Sequence, residues 1–172
     1  GCDIIGMGRD AMVRVTADDQ HRVDLSALAK AVADDRKAGK MPLAVVANVG
    51  TVDSGAIDDL HALADFCERE QLWLHVDGAF GALLAFSEEL KHLTDGMARA
   101  DSIAFELHKW GFLQYEIGTV LVRDRALQEQ AFATQAAYLT PPGRGIQPQD
   151  LHFAAMGPQL SRGFRALKAW VA

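Results

Sequence analysis

Hydrophobic and polar positions along the chain change period several times, and each change marks an element. Residues 11–17, AMVRVTA, alternate Met12, Val13 and Val15 with polar neighbours and predict a strand. Residues 24–39 switch to a helical period, with Leu25, Leu28, Ala29 and Val32 on one face. Asp24 suits the start of that helix and Gly39 its end. The run LAVVAN, 43–48, does not alternate, which predicts a strand covered on both faces, as in a parallel sheet.

The pattern then repeats. A polar loop at 50–56 leads to a predicted helix over 58–71 with acidic residues in its first turn. LWLHV, 72–76, predicts a strand ending at Asp77 and the small-residue turn that follows. Further strands are predicted at 101–106 and 118–124, a Pro/Gly-rich loop at 140–150, and a helix from about Pro158 onward. Alternating strands and helices predict an α/β layer architecture with a mainly parallel sheet. Ligands of such sheets bind beyond the carboxyl ends of the strands. Three polar clusters are predicted there: Asn48 to Ser54, Asp77 to Ala79, and Glu106 to Lys109.

Composition narrows the class. The 172 residues are 49% hydrophobic and 23% charged, and the net charge is -6. With no basic block, nucleic acid is not an expected partner. No apolar run approaches the roughly 20 residues of a membrane span. The two cysteines, Cys2 and Cys67, form no CxxC pattern, which argues against a disulfide framework or a thiolate zinc site and for reduced thiols in a cytoplasmic protein. The chain opens directly on GCDIIGMG and stops within a predicted helix, so it is expected to be a single partial domain, 1–172, of a longer enzyme.

The chemistry concentrates at Asp77 and Lys109. A carboxylate closing an apolar strand is costly unless it meets a positive partner. A lone lysine is ordinarily a solvated surface residue. Together they fit pyridoxal 5'-phosphate (PLP): the amine can condense with the aldehyde, and the acid can face the pyridine nitrogen. Such a charge pair, about 4 Å apart at an effective dielectric of 20, is worth on the order of 4 kcal/mol before desolvation. Gly78 and Ala79 leave room for a flat ring. His75 is expected to be a strand histidine with a satisfied hydrogen bond.

These same segments carry a resemblance. LHVDGAFGA followed by ADSIAFELHKW resembles the group II PLP-dependent amino-acid decarboxylases, whose members act on aromatic amino acids, histidine or glutamate. VVANVGTVDSGAIDDL, YEIGTVLVRD, AAYL and LSRGFRALKAW extend the similarity over nearly the whole chain. The resemblance implies a fold-type-I large domain, truncated at both ends, without its N-terminal part and its C-terminal small domain. It implies Lys109 as the Schiff-base lysine and Asp77 as the partner of the ring nitrogen. Ala79 would pack on a ring face, His108 would sit by the phosphate, and Thr51 would lie near the phenolic oxygen. Arg162 and Arg165 match arginines of the last helix. The expected activity is PLP-dependent removal of the α-carboxylate of an amino acid by a homodimer.

The sequence departs from that pattern at Val52, at Glu106, where Asp or Asn is usual, and at Gln114 in place of proline. The loop at 140–157 has no tyrosine, so an aminotransferase or oxidative deaminase outcome stays open. Two other classes remain: a metal-dependent hydrolase using His75, Asp77 and His108, and an inactive binding derivative of the fold.

Overall fold

The computed structural model describes residues 2–132 and 153–172. Four strands form one sheet in the order β1 (Ala44–Asn48), β2 (Trp73–Asp77), β3 (Ser102–Glu106) and β4 (Gly118–Val122). The first three run parallel; β4 returns antiparallel to β3. The mainly parallel α/β reading therefore holds.

Helix α1 (Leu25–Lys37) starts where Asp24 accepts hydrogen bonds from the N–H groups of Ser26 and Ala27. It stops before Gly39, which has the positive φ of 75° that a left-handed cap needs. Helix α2 (Leu60–Glu70) starts later than its acidic run suggested. Asp59 is the cap, and Gln71 ends the helix in the left-handed region. Asp58 lies outside the helix and is buried: its two oxygens take the N–H groups of Val23 and Asn48, each at 2.7 Å. This carboxylate ties the approach to α1 to the end of β1.

Both helices pack on one face of the sheet. Val45, Ala47, Leu74 and Val76 meet Leu28 and Val32 of α1 and Leu60, Leu63, Ala64 and Phe66 of α2. Each large side chain buried this way contributes about 1.5–3 kcal/mol of transfer free energy. The opposite face carries Val46, Trp73, His75, Asp77, Ser102, Ala104, Glu106 and Val120, as the pairing register requires.

Several expectations are corrected. Residues 11–17 form no strand; only Ala17 bridges Val23, and Met12 and Val13 are exposed. Alternation alone does not supply a neighbouring strand to pair with. In α1, Ala29 is exposed, at the edge of the buried stripe. β1 is covered on one face only: Val46 is 55% exposed, because α1 and α2 both lie on the other side. The segment from Pro158 is helical only over α4 (Ala166–Val171), and α3 (Arg125–Phe132) follows β4 where no helix was expected. The whole of the 140–150 loop, and with it the tyrosine question, lies outside the described residues.

Candidate active site

The parallel register brings the predicted polar clusters to one end of the sheet. Asn48 pairs with Asp77, and Asp77 with Ala104, so β1 and β2 end level while β3 runs two residues further, to Glu106. The turn after β2 is laced between its neighbours. Val49 N–H donates to the Asp77 carbonyl, Gly78 N–H to that of Ala104, and Gly81 N–H to that of Val49. A Cβ on Gly81 would lie 2.6 Å from the Val49 oxygen, and one on Gly78 would lie 2.5 Å from the Ala82 Cβ. Gly78 and Gly81 are thus demanded by the turn itself, whatever lies above it.

A cleft of about 460 Å³ opens there, lined by His75, Asp77, Ala79, Ala104, Glu106, Lys109 and the start of β4. That is within the roughly 300–1,000 Å³ of small-molecule sites. A second cavity, near Cys67, Arg99 and Arg123, lies at the opposite ends of the strands. Asp77 Oδ1 accepts the Ala79 N–H at 3.1 Å, and Oδ2 has no protein donor among the described residues. Lys109 comes from a turn after β3, with its N–H bonded to the Glu106 carbonyl. Its Nζ sits 4.3 Å from the centre of the Phe80 ring and 2.9 Å from Glu106 Oε2. Phe80 in turn meets Trp110 edge-on at 6.1 Å, so Trp110 is packing for the lysine turn.

His108 lies beside the cleft. Its Nδ1 lies 3.0 Å from the Ile117 N–H and 3.1 Å from the Ile117 carbonyl, and its Nε2 lies 2.9 Å from Glu106 Oε2. Tyr115 stacks on the same imidazole, with ring centres 4.0 Å apart. Thr51 is not among the lining residues. Its hydroxyl meets Ser54 Oγ and the Ala56 N–H, closing its own loop. Arg165 pairs with Glu116, and Arg162 donates to the Gln159 carbonyl. His75, Asp77 and His108 do not gather as metal ligands, and no group of three such side chains does so among the described residues.

Sequence reasoning missed a hydrogen-bonded chain on the open face. Trp73 Nε1–H donates to Ser102 Oγ at 2.8 Å, and the same oxygen lies 2.8 Å from His75 Nδ1. The register pair of His75 with Ser102 was the available signal, but it needs the strand alignment. Burial pushes the His75 imidazole below the ordinary histidine range, while the Asp77 carboxylate pulls it the other way.

A conserved domain model of pyridoxal-dependent decarboxylases matches residues 3–172. The chain belongs to that family. It is 38% identical to an aromatic-L-amino-acid decarboxylase of Bacillus atrophaeus over 98% of this chain and 35% of the relative. Among solved structures, mouse CSAD superposes with a TM-score of 0.90 at 32% identity, over 99% of this chain and 35% of that one. A TDC of Oryza sativa, solved with PLP and tryptamine, gives a TM-score of 0.87 at 29% identity, over 98% of this chain and 35% of that one. The chain thus spans about a third of the length of these relatives. The fold is that of these PLP decarboxylases, as the HVD and HKW segments led us to expect.

Proposed function

We propose that the protein is a PLP-dependent carboxy-lyase acting on an amino acid, and that this chain is the part of its large domain that carries the lysine and the acid. The observation behind this reading is that Lys109 and Asp77, from adjacent strand ends, line one cleft together with Ala79. The residues suit the group: an amine reaches into the cleft, and an acid oxygen there lacks a protein donor.

Lys109 Nζ is the atom that would hold PLP covalently, as the Schiff-base lysine. Asp77 Oδ2 would hold a proton on the ring nitrogen, with Oδ1 kept in place by the Ala79 N–H. Ala79 would bound one ring face, and His108, held by Ile117 and Glu106, would serve the phosphate side. Thr51, in the loop after β1, would serve the phenolic oxygen. When bound, PLP supplies an electron sink that weakens bonds at the α-carbon of an amino acid. The assembly would be a homodimer in the cytoplasm; among the described residues no helix is long and apolar enough to cross a membrane.

The test is borohydride trapping of PLP on the intact protein, with the modified peptide identified by mass spectrometry. Label on Lys109, lost in Lys109→Ala, is expected; label retained by that variant overturns the lysine assignment. Asp77→Asn should keep the label while turnover falls on the order of 10²–10³-fold, the cost of losing one preorganised electrostatic partner. Carbon dioxide released with an amine product supports the decarboxylase. A keto acid formed without carbon dioxide points to the aminotransferase outcome, and an aldehyde formed with carbon dioxide and ammonia, at the expense of dioxygen, to decarboxylation coupled to oxidative deamination.

A further inference from the structure

Ser102 Oγ stands between a group that can only donate and a group that can do either. The indole Nε1–H of Trp73 must donate, so Ser102 accepts it. Ser102 is buried, 7% exposed, and its other side-chain contact is His75 Nδ1. The serine proton therefore finds its acceptor in His75 Nδ1, because leaving a buried hydroxyl proton unpaired costs about 1–3 kcal/mol. That assignment places the imidazole proton on Nε2. The ring lines the same cleft as Asp77 and Lys109, and its Nε2–H has no acceptor among the described residues.

We propose that the Trp73–Ser102–His75 chain fixes His75 as a neutral hydrogen-bond donor into the cleft, making it a binding residue for an acceptor oxygen of the occupant. The inference rests on the decarboxylase reading for the nature of that occupant: the oxygen belongs either to PLP or to the carboxylate of the amino acid. A donor suits this place. The cleft already holds the carboxylates of Asp77 and Glu106, so an imidazole in the other tautomer would add a further acceptor to an acceptor-rich wall. Burial of His75 favours the uncharged ring in the same direction.

Two measurements on the intact protein test this. Nitrogen-15 NMR of the histidine side chains, without cofactor at neutral pH, should show His75 protonated on Nε2 alone, with Ser102→Ala releasing that preference. A wild-type His75 carrying its proton on Nδ1, or on both nitrogens, overturns the proposal. Binding is then compared for PLP, pyridoxamine phosphate and the reduced adduct of PLP with L-alanine. His75→Leu should weaken binding about 2- to 10-fold, the worth of one neutral hydrogen bond, and His75→Gln, which restores an N–H donor, should recover most of it. Weakening towards all three compounds places the oxygen on the cofactor; weakening towards the alanine adduct alone places it on the amino-acid carboxylate. Unchanged binding of all three by a folded His75→Leu protein overturns the His75 role and leaves the decarboxylase reading standing. Wild-type protein that binds none of them overturns both.

Discussion

Lys109 Nζ lies 2.9 Å from Glu106 Oε2, the same oxygen that lies 2.9 Å from His108 Nε2. The departure from Asp or Asn at this position therefore has a local use: the glutamate holds the lysine at the edge of the cleft. That ion pair must open before the amine can bond an aldehyde. Both groups are partly exposed, so it is worth at most about 1 kcal/mol. Glu106→Gln should speed trapping of PLP on Lys109 by up to about fivefold in a single-turnover borohydride assay. Slower trapping would mean that the carboxylate delivers the amine rather than restraining it.

Asp58 is the structural counterpart. Its two oxygens satisfy the Val23 and Asn48 N–H groups from a nearly solvent-free position. Asp58→Ala leaves two backbone donors without partners at the end of β1. Unfolding in urea should show a loss of about 2–4 kcal/mol. A loss under 0.5 kcal/mol would mean that water replaces both bonds.

The two thiols should differ. Cys67 is buried in the core, and burial, with the charge of Asp101 adding, pushes its thiol up to about 11. Cys2 is partly exposed. An aromatic disulfide reagent at pH 8 should modify Cys2 in the native protein and Cys67 only after denaturant is added. Rapid native labelling of Cys67 would show that α2 opens readily.

His75 should make the fold sensitive to acid. Its pKa is lowered in the folded chain, first by burial, against an ordinary value near 6.5. As pH falls through 6.5, the unfolded chain takes up that proton before the folded one, so stability present above that pH is progressively lost. The stability gap between wild type and His75→Gln should narrow between pH 7 and pH 5 in denaturant titrations. A constant gap would show that His75 titrates alike in both states.

What the sequence disclosed, and what it did not, follows from the range of each signal. The Asp24 cap, the Gly39 stop and the strand ends at Asp77 and Glu106 are local, and they lie where the pattern put them. So does the convergence of Asp77 and Lys109, because parallel strands present their carboxyl ends at one edge of the sheet, and the turn after the longer β3 brings Lys109 to the cleft that Asp77 lines. The pattern at 11–17 misled because alternation describes a side-chain arrangement without naming a neighbour. The apolar run at 43–48 misled because a strand open on one face can still be apolar on both. Asp58 read as a helix acid because its partners, Val23 and Asn48, are set by tertiary folding. The Trp73–Ser102–His75 chain depends on which residue of β2 faces which residue of β3, and no spacing in one chain reveals that.

The antiparallel return of β4 has a further consequence. Ile117, at the mouth of that strand, grips the imidazole of the residue next to Lys109, so the reactive turn is clamped by the strand that follows it. A single-residue deletion within 102–106 would reverse the inward and outward sense of every later position up to the turn. It would also break that grip and carry the amine toward the helix-covered side. In this architecture chemical competence is a matter of parity: one residue more or fewer in a five-residue strand would abolish the site while leaving its side chains all present.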